Sequence, residues 1–241
     1  MSDSKNTPDW YQVHVSDQCV WLQLHDGPHS VLSSSVLNGG LIQAENVLNL
    51  KVPRQLDIAE QPAFTLQSCA DRLGAGGTTV GMMTAASMDS LRFRRQMEQG
   101  VELAVLVTCG LDNARRVGDP AEYRQMTTSP CELGTINIIF LTSAAMSSAA
   151  MVEAVQMVTE AKAAALMAAD IRSPLTSALA TGTGTDAVAV VSGVSGEGDE
   201  AVHFCGKHVL FGEILGRLVL DAVQDSIRWY QVEGIHFDVD T

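Results

Sequence analysis

An apolar run that ends in threonine, small residues and methionine occurs twice: TVGMMTAASM (Thr79–Met88) and NIIFLTSAAM (Asn137–Met146). Each copy leads into residues of good helix propensity. A β-rich run follows that closes on a small residue and glycine: VELAVLVTCG (Val101–Gly110) and TDAVAVVSG (Thr185–Gly193). Strand, small-residue turn, helix and strand is a plan that few architectures accommodate. It predicts an α/β fold: a single domain with a mixed β-sheet flanked by helices, and an internal strand-helix-strand repeat. The first helix is expected over roughly Met88–Gln99. The second is expected over Ala144–Ala169, a stretch rich in Ala, Met, Glu and Lys.

The flanks agree with one domain from residue 11 to 241. Met1–Pro8 is polar, and residues 1–10 read as a flexible tail. Tyr11–Leu24 alternates and stops at Asp26–Gly27–Pro28, as a strand or hairpin does. SVLSSSVLNGG and ENVLNLKV read as further strands, ended by Asn38–Gly39–Gly40 and by Pro53. In HVLFGEILGRLVLDAVQDSI (His208–Ile227), Leu210, Ile214, Leu215, Leu218, Val219, Ala222 and Val223 have helical spacing with one buried face.

Hydrophobic residues make up 46% of the 241, enough for a large core. A formal net charge of −13 argues against nucleic acid or an anionic membrane surface as partner. Ala144–Ala169 is interrupted by Glu153, Gln156, Glu160 and Lys162, so it is not a membrane span. No secretory signal opens the chain. The five cysteines are scattered and never in C-x-x-C spacing. Reduced thiols, a cytoplasmic setting and no metal site are the expectation.

ATGTGTDAVAVVSG (Ala180–Gly193) is the stretch most suited to chemistry. Gly182 and Gly184 let a ligand approach, and Thr181, Thr183 and Thr185 offer hydroxyls. No G-K-S/T follows, so it is not a P-loop, and it follows a helix and opens a strand, so it is not a dinucleotide loop. A helix cap with a turn is the other reading. Asp186 is either an edge or cap residue or a site acid. In CGKHVLFGE (Cys205–Glu213), His208 is either a cap or a general base. Glu213, five residues on, is poorly spaced to share a metal with it. Asn113 and Asn137 follow or open strands, and suit either turns or amide recognition. Glu160 and Lys162 lie on different faces of one helix.

Taken in order, NGG, TAASM, TCGLDNARRVGD, GTINIIFLT, EAKAAAL, ATGTGTD and GKHVLFGEILG resemble the adenosylcobinamide amidohydrolase family (CbiZ-type) over Ser30–Ile227. Matching positions are Asn38, Gly39, Gly40, Asn113, Thr135, Asn137, Glu160, Lys162, Thr181, Thr183, Asp186, His208 and Glu213. The chain has Thr108–Cys109–Gly110 where the family often has Thr-Ala-Gly. The resemblance implies hydrolysis of the amide that joins the aminopropanol arm to the corrin ring. Adenosylcobyric acid and aminopropanol are released in corrinoid salvage for cobalamin synthesis.

The roles it implies are specific. His208, oriented by Asp186, activates water; Thr183 and Thr181, with loop N–H groups, stabilise the oxyanion; Lys162, Lys207 or Glu213 serve the leaving amine. Asn38, Gly39, Asn113, Thr135, Asn137, Glu160, Gly182 and Gly184 hold substrate. No cofactor is required, since cobalt enters with the adenosylated corrinoid. The D-x-H-x-x-G pattern of base-off corrinoid carriers is absent, because Ala201 stands at the aspartate position before His203. A homo-oligomer is compatible with the sequence. A non-catalytic corrinoid-binding protein and a Thr-nucleophile acyl-transferring enzyme are the rival readings.

Overall fold

The computed structural model describes residues 9–53, 61–123, 125–126, 136–194, 196 and 200–233. Twelve strands are described: β1 Tyr11–Val15, β2 Cys19–Leu24, β3 His29–Ser33, β4 Gly40–Ala44, β5 Asn46–Lys51, β6 Thr79–Thr84, β7 Arg92–Glu98, β8 Val101–Cys109, β9 Ala114–Arg115, β10 Ile136–Thr142, β11 Gly182–Thr183 and β12 Ala187–Val191. The helices are α1 Pro62–Leu73, α2 Ser148–Ala168 and α3 Leu210–Val232. The expected mixed sheet flanked by helices is present twice. One sheet has the order β1-β2-β5-β6 and the other β4-β3-β12-β10-β8-β7, while β9 and β11 form a two-stranded ribbon.

The two sheets face each other, and side-chain alternation explains the layers. In β10, Ile136, Ile138 and Phe140 join the core under α2 and α3. Ile139 and Leu141 point the other way, into the layer between the sheets, with Val47, Val80, Met82, Leu106 and Val191. Leu48 and Leu50 of β5 pack on the outer side with Leu66 and Cys69 of α1. The order is therefore helix, sheet, sheet, helices. A strand covered on both faces reads as a near-continuous apolar run; all seven residues of β10 are buried, and five of them are apolar.

Two expectations fail. Residues Met88–Gln99 do not form a helix: Met88–Ser90 is a single 3-10 turn, and Arg92–Glu98 is β7. β7 pairs antiparallel with β8 from Arg92↔Val107 to Glu98↔Val101. The hairpin closes on Gln99 and Gly100 at φ 50 and 80, the paired positive angles of a tight two-residue turn. Good helix formers were overruled by pairing with a buried neighbour. With that helix the internal repeat falls too. β6 lies parallel to β5 in one sheet and β10 parallel to β12 in the other. Only the second copy has its crossover helix, α2.

The crossover places the site. α2 runs back from the far end of β10 toward the start of β12. The ribbon pairs Gly182 with Arg115 and Thr183 with Ala114 over that same end. α2 is capped by the Ser147 hydroxyl, which accepts from the Ala150 N–H. α1 begins with Pro62 at its first turn and ends on Gly74 at φ 74. Of the residues expected as a tail, Trp10 is held against the fold. That residue packs edge-on against Tyr11 and donates to buried Glu102 at 3.2 Å. Met1–Pro8 lies outside the described residues.

Candidate active site

The ATGTGTD stretch is a loop built around one carboxylate. Asp186 Oδ2 accepts from the Thr183 backbone N–H at 3.0 Å, and Asp186 Oδ1 accepts from the Thr183 hydroxyl. Lys162, in the last third of α2, donates its ammonium to Asp186 Oδ2. The two side chains are only 9% and 11% exposed. A buried lysine is stable as an ion only beside such a partner.

The glycines now have a reason. Neither Gly182 nor Gly184 has a positive φ. A Cβ on Gly182 would fall on Asp186 Oδ2 and lie 3.1 Å from Lys162 Nζ; one on Gly184 would lie 3.2 Å from Asn113 Nδ2. Glycine here answers to the close approach of side chains rather than to a turn angle. Cys109, fully buried at the end of β8, feels both charges. Burial pushes its thiol up strongly, the Asp186 charge adds to this, and Lys162 opposes it.

These groups line a cleft of about 470 Å³. Lys162, Gly182, Thr183 and Asp186 form one wall, and residues 115–117 and 119–123 form the other. Arg115 pairs with Glu122 across the second wall. Asp119 is held below the usual carboxylate range by the Ser173 hydroxyl and the Arg116 backbone N–H. Thr181 also lines the cleft and ties its two sides together: its hydroxyl accepts from the Val117 N–H at 2.9 Å.

Other expected site residues lie elsewhere. Asp186 makes no hydrogen bond with His208, which is exposed in the turn before α3 and does not line the cleft. Lys162 and Thr183, rather than His208, are the partners that hold this carboxylate. Lys207 pairs with exposed Glu160 on α2, one residue from the cleft-lining Thr159. Glu213 faces solvent and pairs with Arg217 at 3.2 Å, one helical turn on. Asn38, at φ 53, donates to the Thr79 carbonyl at 2.9 Å. A Cβ on Gly39 would strike the Ser35 carbonyl. Both shape the turn into β4 and neither lines the cleft. Thr135 lies outside the described residues.

Asn137 is buried between the sheets, on the opposite face of the strand end that carries Asp186. Its Nδ2 donates to Asn49 Oδ1 and to the Met83 carbonyl, each at 2.8 Å. Asn49 in turn donates to Thr108 Oγ1 at 2.9 Å. Asn49 and Thr108 were not singled out in the sequence; an asparagine at an inward position of an apolar strand was the available signal. Among the described residues no group of three or more His, Cys, Asp or Glu side chains is placed to hold a metal ion.

A family model described as adenosylcobinamide amidohydrolase matches residues 4–233 of this chain. An adenosylcobinamide amidohydrolase of Methanosarcina mazei is 26% identical over 223 residues, 90% of this chain and 98% of its own. One of Halobacterium salinarum is 28% identical over 216 residues, 85% of each chain. Among solved structures, a Burkholderia sp. beta-aminopeptidase covers 87% of this chain and 77% of its own, at 11% identity and a TM-score of 0.44. A likeness that distant says nothing about mechanism.

Proposed function

The chain belongs to the adenosylcobinamide amidohydrolase family, and on that premise we propose that Lys162, Asp186 and Thr183 form its amide-cleaving centre. The substrate amide joins the corrin side chain to aminopropanol. Water adds to the carbonyl carbon, the C–N bond breaks, and the proton removed from water goes to the leaving amine. The products are adenosylcobyric acid and aminopropanol, and cobalt is carried through as part of the substrate.

The observation that carries this reading is the carboxylate of Asp186, held at the cleft wall by a hydroxyl, a backbone N–H and an ammonium. Asp186 takes the proton from the attacking water and passes it to nitrogen. The Lys162 ammonium lies where negative charge builds on the carbonyl oxygen. It acts in a poorly solvated site, where such a charge is worth more than in water. Thr183 fixes the carboxylate rotamer.

A second route has one observation behind it. The Thr183 hydroxyl already donates to Asp186, the geometry of a nucleophile beside its base. It would leave an ester on Thr183 that rapid quench and intact-mass analysis would detect. The primary test is incubation of the purified protein with adenosylcobinamide and mass spectrometry of the corrinoid. Adenosylcobyric acid is the expected product. Unchanged substrate that co-elutes with the protein would replace catalysis by binding alone.

A further inference from the structure

A cleft of about 470 Å³ admits a side arm but not a corrin macrocycle with its adenosyl group, which exceeds a site of that size. The ring must therefore rest outside, against the cleft mouth. We propose that the segment Arg116–Tyr123 is a fixed apolar platform for the corrin face, with Val117 and Tyr123 as its contact residues. The inference rests on the proposed corrinoid substrate and extends it to a binding subsite.

Two observations carry it. First, the segment presents apolar groups outward: Val117 is 81% and Tyr123 41% exposed, and both border the cleft along with Pro120 and Ala121. Second, the exposure of Val117 does not come from a loose loop, because Arg116, Val117 and Asp119 are bonded inward. The Val117 N–H donates to Thr181 Oγ1 at 2.9 Å, and Arg116 donates to the Leu179 carbonyl at 2.9 Å. Asp119 accepts from Ser173 at 2.5 Å, from Thr176 at 2.9 Å and from the Arg116 N–H at 2.9 Å. Gly118, at φ 92, makes the turn that leaves Val117 outward. Exposed apolar groups held rigidly at the rim of a polar cleft lose little freedom on binding and gain the burial of their surface. The flat face of a macrocycle is the part of this substrate that matches them.

The platform is tested with Val117→Asp combined with Tyr123→Ser, and with the milder Val117→Ser. Affinity for adenosylcobyric acid, which carries the ring without the aminopropanol arm, is measured by equilibrium dialysis. KM and kcat are measured with adenosylcobinamide. The double variant is expected to weaken ring affinity and raise KM by about tenfold or more, from lost apolar burial. Its kcat at saturation should change by less than about threefold, because the bond-breaking groups are untouched. Val117→Ser should shift both in the same direction by a smaller factor. Unaltered ring affinity would overturn the proposal, as would a loss confined to kcat or a wild-type protein that fails to bind adenosylcobyric acid. A wild-type protein that binds the ring but cleaves nothing would refute the proposed reaction and leave the platform standing.

Discussion

Replacing Lys162 with methionine separates the stability role of the ion pair from its catalytic role. The Lys162 and Asp186 side chains are 9% and 11% exposed, so little water screens them. At hydrogen-bonding separation and an effective dielectric of about 20, their attraction is about 5–6 kcal/mol. Methionine fills the space of the lysine stem but leaves the Asp186 charge buried. Only the Thr183 hydroxyl and N–H then remain to hold it. Removing one partner of such a pair costs about 3–5 kcal/mol. For a chain of this size that lowers Tm by about 6–20 °C. Lys162→Met with Asp186→Asn removes both charges and keeps an acceptor for Thr183, so it should recover all but about 1–2 kcal/mol of the loss. Neither variant should form adenosylcobyric acid. Thermal unfolding by circular dichroism and the corrinoid assay read the two effects separately. A Lys162→Met protein that melts within about 2 °C of wild type and turns over normally would refute the reasoning.

Three further outcomes follow from the geometry. Gly182→Ala puts a methyl group on the Asp186 carboxylate, so kcat should drop by about 10- to 100-fold while far-UV circular dichroism is retained. Because His208 is exposed and off the cleft, His208→Ala should keep kcat within about threefold; a loss near a thousandfold would restore it as the base. The third outcome concerns alkaline pH. Burial, with the Glu153 charge beside it, pushes the Cys205 thiol up to about 12 from the ordinary 9.0, and Cys109 is pushed up further in the same direction. Such thiols stay neutral in the folded protein and ionise first in the unfolded chain. Stability is therefore intact below pH 9 and is lost above it by about 1.4 kcal/mol per pH unit for each thiol, up to its folded pKa. Urea titrations from pH 8 to pH 11 measure this. The native protein should also resist iodoacetamide at Cys205 throughout that range.

Much of the local structure was legible because turn residues bound short apolar runs. The positive φ angles of Asp26, Gly27, Asn38 and Gly40 sit where the sequence suggested turns. The apolar spacing of α3 was readable too, since Ile214, Leu215, Leu218, Val219, Ala222 and Val223 all enter the core. What failed depended on distant partners. LRFRRQMEQ carries helix formers, yet it pairs with β8 and moves the sheet edge from that apolar strand to an Arg-rich one. α1 does not show in the sequence, because Pro62 reads equally as a loop or as a helix start. The division into two sheets was hidden because strands buried on both faces do not show which sheet they belong to. Pairings such as β3 with β12 join residues more than 150 positions apart.

Of the residues singled out from sequence, the ATGTGTD loop, Asp186 and Lys162 come together in the cleft, but their pairing was not legible. The sequence offered a histidine as the natural partner for Asp186. The fold supplied a lysine from 24 residues upstream, across a crossover whose geometry no local pattern encodes. Arg115, Asp119 and Glu122, within and after the quoted ARRVGD, become legible as a cleft wall only once the ribbon β9–β11 is formed.

The central claim is that Asp186 moves the proton in amide cleavage, and its most direct test is kcat for Asp186→Asn with saturating adenosylcobinamide. The asparagine keeps the shape and can still accept from Thr183, but it cannot take a proton from water. Adenosylcobyric acid formation should fall by about a thousandfold or more, with a KM close to wild type. A variant that forms the product at close to the wild-type rate would contradict the account and move the chemistry away from the TGTGTD loop.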